Sequence, residues 1–364
     1  YLPIPSKIGE MKTKPTQHAV RNLNGAGIQP DIILARSTEP LDGPRKKKIA
    51  IFCNVTAEDI ISAPDVDFIY DIPVNFEKEG ISNRILKKFG MRPRKSDGRE
   101  WRAFTKSIHA AKKPVKIAIA GKYFTTGNFT LSDSYLSVIE AVKHAAWKTG
   151  RKPEIHWIDT EAFEKSKANL RSLSKYDGLI VPGGFGSRGI NGKILAIQYA
   201  REKKIPFLGL CYGLQLAVIE FARNVSGLKG AHTTEVDPKT PHPIIHILPE
   251  QLENLQKGNL GGSMRLGAYP CEVKKGTKAF KAYGQKLIME RHRHRYEVNN
   301  NYRDLIEKKG LIISGINPEK NLVEIIELKN HPFFMASQFH PELKSRPLTP
   351  HPMFLDFIKA ASKK

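Results

Sequence analysis

The sequence predicts an α/β protein of two domains. Three observations carry this. The chain has 364 residues, long enough for two separate cores. Short β-rich apolar runs alternate with segments of helical periodicity, the pattern of a parallel sheet. Glycine-rich turns follow several of the apolar runs, where parallel sheets place ligands, beyond the carboxyl ends of their strands.

In the first domain, residues 1–93, "PTQHAVRNLNGAG" (15–27) reads as an amphipathic helix ending in glycines. "PDIILARS" (30–37), "KIAIFCNV" (48–55) and "VDFIYDIPV" (66–74) read as strands. Residues 94–113, charged and close to prolines at both ends, read as a linker with one helical turn around Trp101. The second domain, 114–364, opens with the strand "PVKIAIAGKY" (114–123). "LSDSYLSVIEAVKHAAWKTG" (131–150) then starts with Ser and Asp and stops at Gly, as a helix does. Strands follow at 152–159 and 176–186, a helix at 191–204, and the strand "IPFLGLC" (205–211) running into a helix at 214–224.

Composition narrows the function classes. Hydrophobic residues make up 40% of the chain, yet no apolar run reaches the roughly 20 residues of a membrane-spanning helix. Three cysteines, an odd and sparse set, point to reduced thiols and a cytoplasmic setting. The net charge of +23 fits a nucleotide-binding protein better than a nucleic-acid-binding one, because Lys and Arg are dispersed and no nucleic-acid motif accompanies them. The chain starts without Met, directly in turn-rich charged sequence, and reads as the continuation of a longer one.

The chemistry centres on "GLCYG" (209–213). A lone cysteine in apolar sequence is usually core. Here glycines flank it on a strand-to-helix turn, the form of a nucleophile elbow. The helix that follows favours thiolate, and the Tyr212 N–H is placed to meet an oxyanion. A thiol nucleophile needs a base and the base an orienting group. "SQFHPEL" (337–343) supplies His340 with Glu342 two residues on, sharing a face if the segment is extended. "VPGGFGSRG" (181–189) offers backbone amides, and "ERHRHRYEVN" (290–299) offers Arg for a carboxylate, although a charge run is more often a solvated face. "GEMKTKPTQH" (9–18) leads into a helix with donors suited to phosphate, without the spacing of a P-loop.

Together these motifs resemble the CTP synthase family over essentially the whole chain; "ERHRHRYEVN" and "KTKPTQ" are the most specific. The elbow and "FHPE" alone would suit any class I glutamine amidotransferase. The resemblance implies a complete class I amidotransferase domain, flavodoxin-like, with a mostly parallel sheet and helices on both faces. Before it would stand the incomplete C-terminal part of a P-loop-type α/β amidoligase domain. Cys211, His340 and Glu342 would form the triad that hydrolyses glutamine. Gly184, Tyr212, Gly213, Leu214, Gln215, Glu235, Arg295 and Tyr296 would hold glutamine, Glu235 at the amino group and Arg295 at the carboxylate. Lys12, Thr13, Lys14, Pro15, Thr16, Gln17 and Lys48 fall on the family's UTP site, which overlaps that of the inhibitor CTP. Asp65 and Val66 fall near the adenine of ATP. The resemblance also implies Mg²⁺ with ATP, GTP as activator and a homotetramer, with neither membrane nor nucleic acid as partner.

Two departures accompany it. The family's P-loop and magnesium carboxylates lie upstream of "GEMKTKPTQ" and are not in this sequence, so the chain as given is not expected to phosphorylate UTP. The stretch 236–260 is short for the family's mobile lid and holds no Arg, which bears on activation by GTP. Two alternatives stand beside this reading: another class I amidotransferase, and a non-catalytic basic protein that binds nucleic acid.

Overall fold

The structure is a computed structural model that describes residues 1–7, 9–93, 97–121, 125–126, 129–130, 135–184, 189–247 and 264–363. The chain divides into two compact units, Tyr1–Lys106 and Ser107–Lys364.

The first unit is built on a βαβ element. Strands Ile33–Ser37 and Ile60–Pro64 pair in parallel, with Ile33 opposite Ile60. The helix Gly43–Cys53 connects them. Before them lies the helix Lys14–Gly25, which agrees with the sequence reading. Leu2, Val20, Ile33, Ala35, Ile49, Cys53 and Ile60 form the core.

Two expected strands are absent from the places assigned to them. Residues 48–53 belong to the helix Gly43–Cys53, which starts where the Asp42 side chain accepts from Arg45 N–H, with Pro44 in the first turn. Asn54, at φ 52°, ends it in the left-handed region. The run buries Ile49 and Cys53, four residues apart, and leaves Ile51 and Phe52 exposed, which is a helical stripe and not alternation. Residues 66–74 become a 3-10 turn, Ile69–Asp71, that enters the helix Ile72–Lys78. The partner strand is instead "IISAP", Ile60–Pro64.

The assigned linker is also more ordered than its charge indicates. Arg99–Ala110 is a helix. The Trp101 indole N–H donates to the Tyr70 carbonyl at 2.9 Å, and Trp101 and Phe104 pack on the Tyr70 ring. Residues 94–96 lie outside the described residues.

The second unit carries a nine-stranded sheet. Its parallel half has strands Arg151–Asp159, Lys113–Gly121, Gly178–Val181, Phe207–Leu210 and Phe334–Ser337 side by side, the flavodoxin-like order 2-1-3-4-5. Four antiparallel pairings then extend the sheet through Leu322–Leu328, Leu311–Asn317, Arg265–Val273 and Leu287–His294. The sheet is therefore mixed in equal parts and not mostly parallel. The pairings of Leu311–Asn317 with Leu322–Leu328 and of Leu322–Leu328 with Phe334–Ser337 are hairpins, which reverse direction without a crossover helix.

Helices cover both faces of the parallel half. Alternation along Lys113–Gly121 sends Ala118 and Ala120 to the side of helices Ile190–Glu202 and Tyr212–Asn224. Val115, Ile117 and Ile119 go to the side of helices Leu136–Lys148 and Pro352–Ala361. The Ser/Asp start expected for Leu136–Lys148, at 132–134, lies outside the described residues.

Candidate active site

The strand Phe207–Leu210 ends at Cys211, and the helix Tyr212–Asn224 starts immediately after it. Cys211 is forced to φ 51° and ψ −100°, a conformation a side chain adopts only under constraint from its surroundings. The Cys211 N–H donates to the Ser337 carbonyl at 2.7 Å, and the Cys211 carbonyl accepts from Leu214 N–H at 3.0 Å. Both flanking glycines are required. A Cβ at Gly213 would lie 2.1 Å from the Val181 carbonyl oxygen, and one at Gly209 would lie 2.8 Å from the Ala336 Cβ.

The neighbouring parallel strand brings the candidate base. Ser337 pairs with Leu210, so both strands end together, and His340 follows three residues later beside the thiol. Gly183 packs between them: a Cβ there would be 3.0 Å from His340 Cε1 and 3.7 Å from the Cys211 Cβ. His340 Nδ1 and Glu342 Oε1 are 2.7 Å apart. Burial pushes the His340 pKa down, but the Cys211 thiol and the Glu342 carboxylate outweigh it and raise it to about 10. His340 is thus set to hold a proton between a sulfur and a carboxylate.

Cys211 opens onto two recesses. One is lined by Gly184, Tyr212, Gln215, Glu235, His294, Arg295 and Tyr296 together with Cys211. A carboxylate and a guanidinium in one cavity with a nucleophile suit a zwitterionic amino acid. The other recess includes Pro182, Gly183, Arg293, His340, Glu342 and Leu343. Gly213 and Leu214 do not line the first. Gly213 packs on the Val181 backbone and Leu214 is fully buried in the core. Gln215 is also tied into the fold, donating to the Tyr296 carbonyl at 2.8 Å.

The run "ERHRHRYEVN" is not a solvated face. Alternate side chains of strand Leu287–His294 point inward, burying Glu290, His292 and His294. Part of the lid stretch is ordered too: Pro243–Ile247 is a strand, with Ile245 opposite Val298. Residues 248–263 and 185–188 lie outside the described residues.

Three contributors escaped the sequence reading. Gln338 donates to the Cys211 sulfur at 3.8 Å, and the thiol donates to the Arg293 carbonyl at 4.0 Å. Lys193, 1% exposed, sets its ammonium 5.7 Å over the Tyr212 ring beside Gly184. Gln338 lies inside a motif already singled out, whereas Lys193 in "NGKILAIQ" gives no signal of its burial.

In the first unit, Lys12, Thr13, Lys14, Pro15 and Lys48 line one cleft with Glu10, Met11 and Arg45. Thr16 and Gln17 stand outside it. Thr16 donates to the Tyr1 carbonyl and Gln17 to the Thr13 hydroxyl. Asp65 and Val66 line a separate recess at the carboxyl ends of the two strands, where Asp65 pairs with Arg36 at 2.8 Å. Among the described residues no group of three or more His, Cys, Asp or Glu is placed to hold a metal ion, and no helix is long and apolar enough to cross a membrane.

A strained nucleophile elbow on a flavodoxin-order sheet, with its acid–base pair on the next strand, places the second unit among the class I glutamine amidotransferases. The family model for glutamine amidotransferase class-I matches residues 130–360, and that for the CTP synthase N-terminus matches 1–91. The CTP synthase of Sulfurisphaera tokodaii is 54% identical over 97% of this chain and 65% of its own length. That of Caldanaerobacter subterraneus is 52% identical over 97% and 64%, and that of Thermococcus gammatolerans 48% over 100% and 67%. The glutaminase domain of Trypanosoma brucei CTPS, solved with bound acivicin, is 36% identical with a TM-score of 0.63, covering 69% of this chain and 94% of that one. The chain belongs to the CTP synthase family. It spans about two thirds of the length of these curated relatives. The alternatives of another amidotransferase and of a nucleic-acid-binding protein give way to this membership.

Proposed function

We propose that the second unit hydrolyses glutamine and that its ammonia serves the ATP-dependent amination of UTP to CTP. The observation that carries this reading is His340 poised between Cys211 and Glu342, beside a cavity holding Glu235 and Arg295. Cys211 passes its proton to His340 and attacks the side-chain amide carbon. Electrons move onto the carbonyl oxygen, which the Tyr212 N–H meets at the start of its helix. His340 passes its proton to the departing nitrogen, ammonia leaves, and a thioester remains. Water, losing its proton to His340, then releases glutamate, and His340 returns that proton to the departing sulfur to restore the thiol. Arg295 holds the substrate carboxylate, Glu235 its ammonium group, and Gly184, Tyr212, Gln215 and Tyr296 the walls.

In the first unit, Lys12, Lys14 and Lys48 gather around the phosphates of UTP, or of CTP as inhibitor, at the start of helix Lys14–Gly25. The recess with Asp65 and Val66 receives the adenine of ATP. Among the described residues no group of three or more His, Cys, Asp or Glu builds a magnesium site. Activation by GTP, a homotetrameric assembly and a cytoplasmic location belong to the same proposal. So does binding of acivicin in the cavity beside Cys211.

The test is glutamate release from glutamine by the purified chain. Cys211→Ala abolishes it, and a variant as fast as the parent would refute the mechanism. Titration calorimetry tests the first unit separately: UTP binds in the cleft of Lys12, Lys14 and Lys48, and Lys14→Ala weakens it about tenfold.

A further inference from the structure

Beneath the catalytic pair lies a closed ring of buried ionisable side chains. Arg265 donates to Glu297 Oε1 at 3.1 Å and to Glu324 Oε1 at 2.8 Å. His294 Nδ1 is 3.4 Å from Glu297 Oε1, and His292 Nε2 is 3.6 Å from Glu324 Oε2. A contact of 2.9 Å between His292 Nδ1 and His294 Nε2 closes the circle. The Tyr269 ring lies 4.7 Å under the Arg265 guanidinium. The five residues come from four different strands, and each is nearly inaccessible.

The ring sits on the strand that shapes the hydrolytic site. On Leu287–His294, the Arg291 carbonyl accepts from His340 N–H at 2.8 Å and the Arg293 carbonyl from the Cys211 thiol. His294 itself lines the glutamine cavity, and Arg295 follows it directly. A plug serving stability alone would be expected to satisfy its polar atoms or to be apolar. This one leaves Arg265 Nε, His292 Nε2, Glu297 Oε2 and Glu324 Oε2 without a hydrogen-bond partner.

We infer that this ring is a positioning unit for glutamine hydrolysis: it fixes the Arg293 carbonyl at the thiol and Arg295 in the cavity only while its net charge is zero, with Arg265 facing one carboxylate and one carboxylic acid. The inference rests on the glutaminase reading above. Burial lifts both carboxyls, with Arg265 holding them back in part, leaving Glu297 at about 7 and Glu324 at about 8. Burial first, then the Arg265 charge, keeps His292 and His294 neutral. Lys320 faces Glu297, Cys271 faces Glu324, and His340 faces both ring histidines. Loss of the last carboxyl proton leaves one uncompensated buried charge, which opens the ring.

The experiment measures kcat for glutamate release between pH 6.5 and 9.5 in the parent, Glu324→Gln and Cys211→Ala. In the parent kcat falls about tenfold from pH 7 to 9, as the ring ionises. Glu324→Gln copies the protonated carboxyl and keeps the ring neutral, so its kcat stays within about threefold over that range. Should circular dichroism show Glu324→Gln unfolded, Glu297→Gln gives the same charge relief and the same expected profile. A parent with no alkaline fall, or glutamine variants whose profiles superimpose on the parent's, overturns the inference. Cys211→Ala as active as the parent would instead sink the glutaminase reading, so the two failures are separable.

Discussion

His340 is the residue on which the proposed chemistry turns, and its state is set by a single carboxylate. Glu342 accepts at 2.7 Å and fixes the tautomer that presents the other nitrogen to Cys211. With an amide there, the ring can be held in the wrong tautomer and loses a charge partner. Glu342→Gln is therefore expected to cut kcat for glutamate release on the order of 100-fold or more, with KM for glutamine nearly unchanged. An equal loss in KM would mean that Glu342 shapes the cavity instead. A second residue-scale expectation concerns Tyr212, whose hydroxyl is buried without a hydrogen-bond partner. Tyr212→Phe removes an orphaned group and should raise the chemical-denaturation stability by about 1 kcal/mol. Cys211, His340 and Glu342 were legible in the sequence because the chemistry confines them to short motifs. Lys193 was not, because its burial depends on packing between distant segments.

At the scale of elements, the site depends on how closely one helix approaches one strand. Helix Tyr212–Asn224 lies so near Gly178–Val181 that a methyl group at Gly213 would overlap the Val181 carbonyl, a backbone atom that cannot turn aside. Gly213→Ala should therefore destabilise the chain by about 2 kcal/mol and lower glutamate release as the elbow shifts, readable in urea unfolding and in kcat. Retained stability would mean that the helix moves freely, and the elbow would not be rigid. In the parallel half of the second unit, strands such as Lys113–Gly121, Gly178–Val181 and Phe207–Leu210 were legible because they are largely buried apolar runs bounded by glycine or proline. In the first unit "KIAIFCNV" has strand composition but lies inside a helix started upstream by Asp42 and Pro44, and exposed Ile51 and Phe52 disguise its period. The antiparallel half of the sheet was not legible either, since it is tied together by the pairing of Arg265–Val273 with Leu311–Asn317, two segments far apart in sequence.

For the molecule as a whole, the buried ionisable groups set a pH window for stability. Burial holds His144 and His331 down at about 4. Below the ordinary value of about 6.5 the unfolded chain takes up protons that these two refuse, so stability falls as pH drops from about 6.5 towards 4. Glu297 and Glu324 act with the opposite sign. Their raised carboxyls keep protons in the fold that the unfolded chain releases above about 4.3, and the stability they supply is lost as pH rises through 7 and 8. His340, raised to about 10, adds a loss of the same sign from about 6.5 upward. His292 and His294, also held down by burial, add to the acid-side loss, so four histidines outweigh two carboxyls below about 6.5, and the stability from urea unfolding should be greatest near that pH. On the alkaline side each retained proton contributes a slope of up to about 1.4 kcal/mol per pH unit, and Glu324→Gln removes one of them. A shallower decline for that variant between pH 7 and 8 is the expected result. Parallel curves would mean that Glu324 is already ionised at neutral pH, and the positive charge of Arg265 would then face two carboxylates.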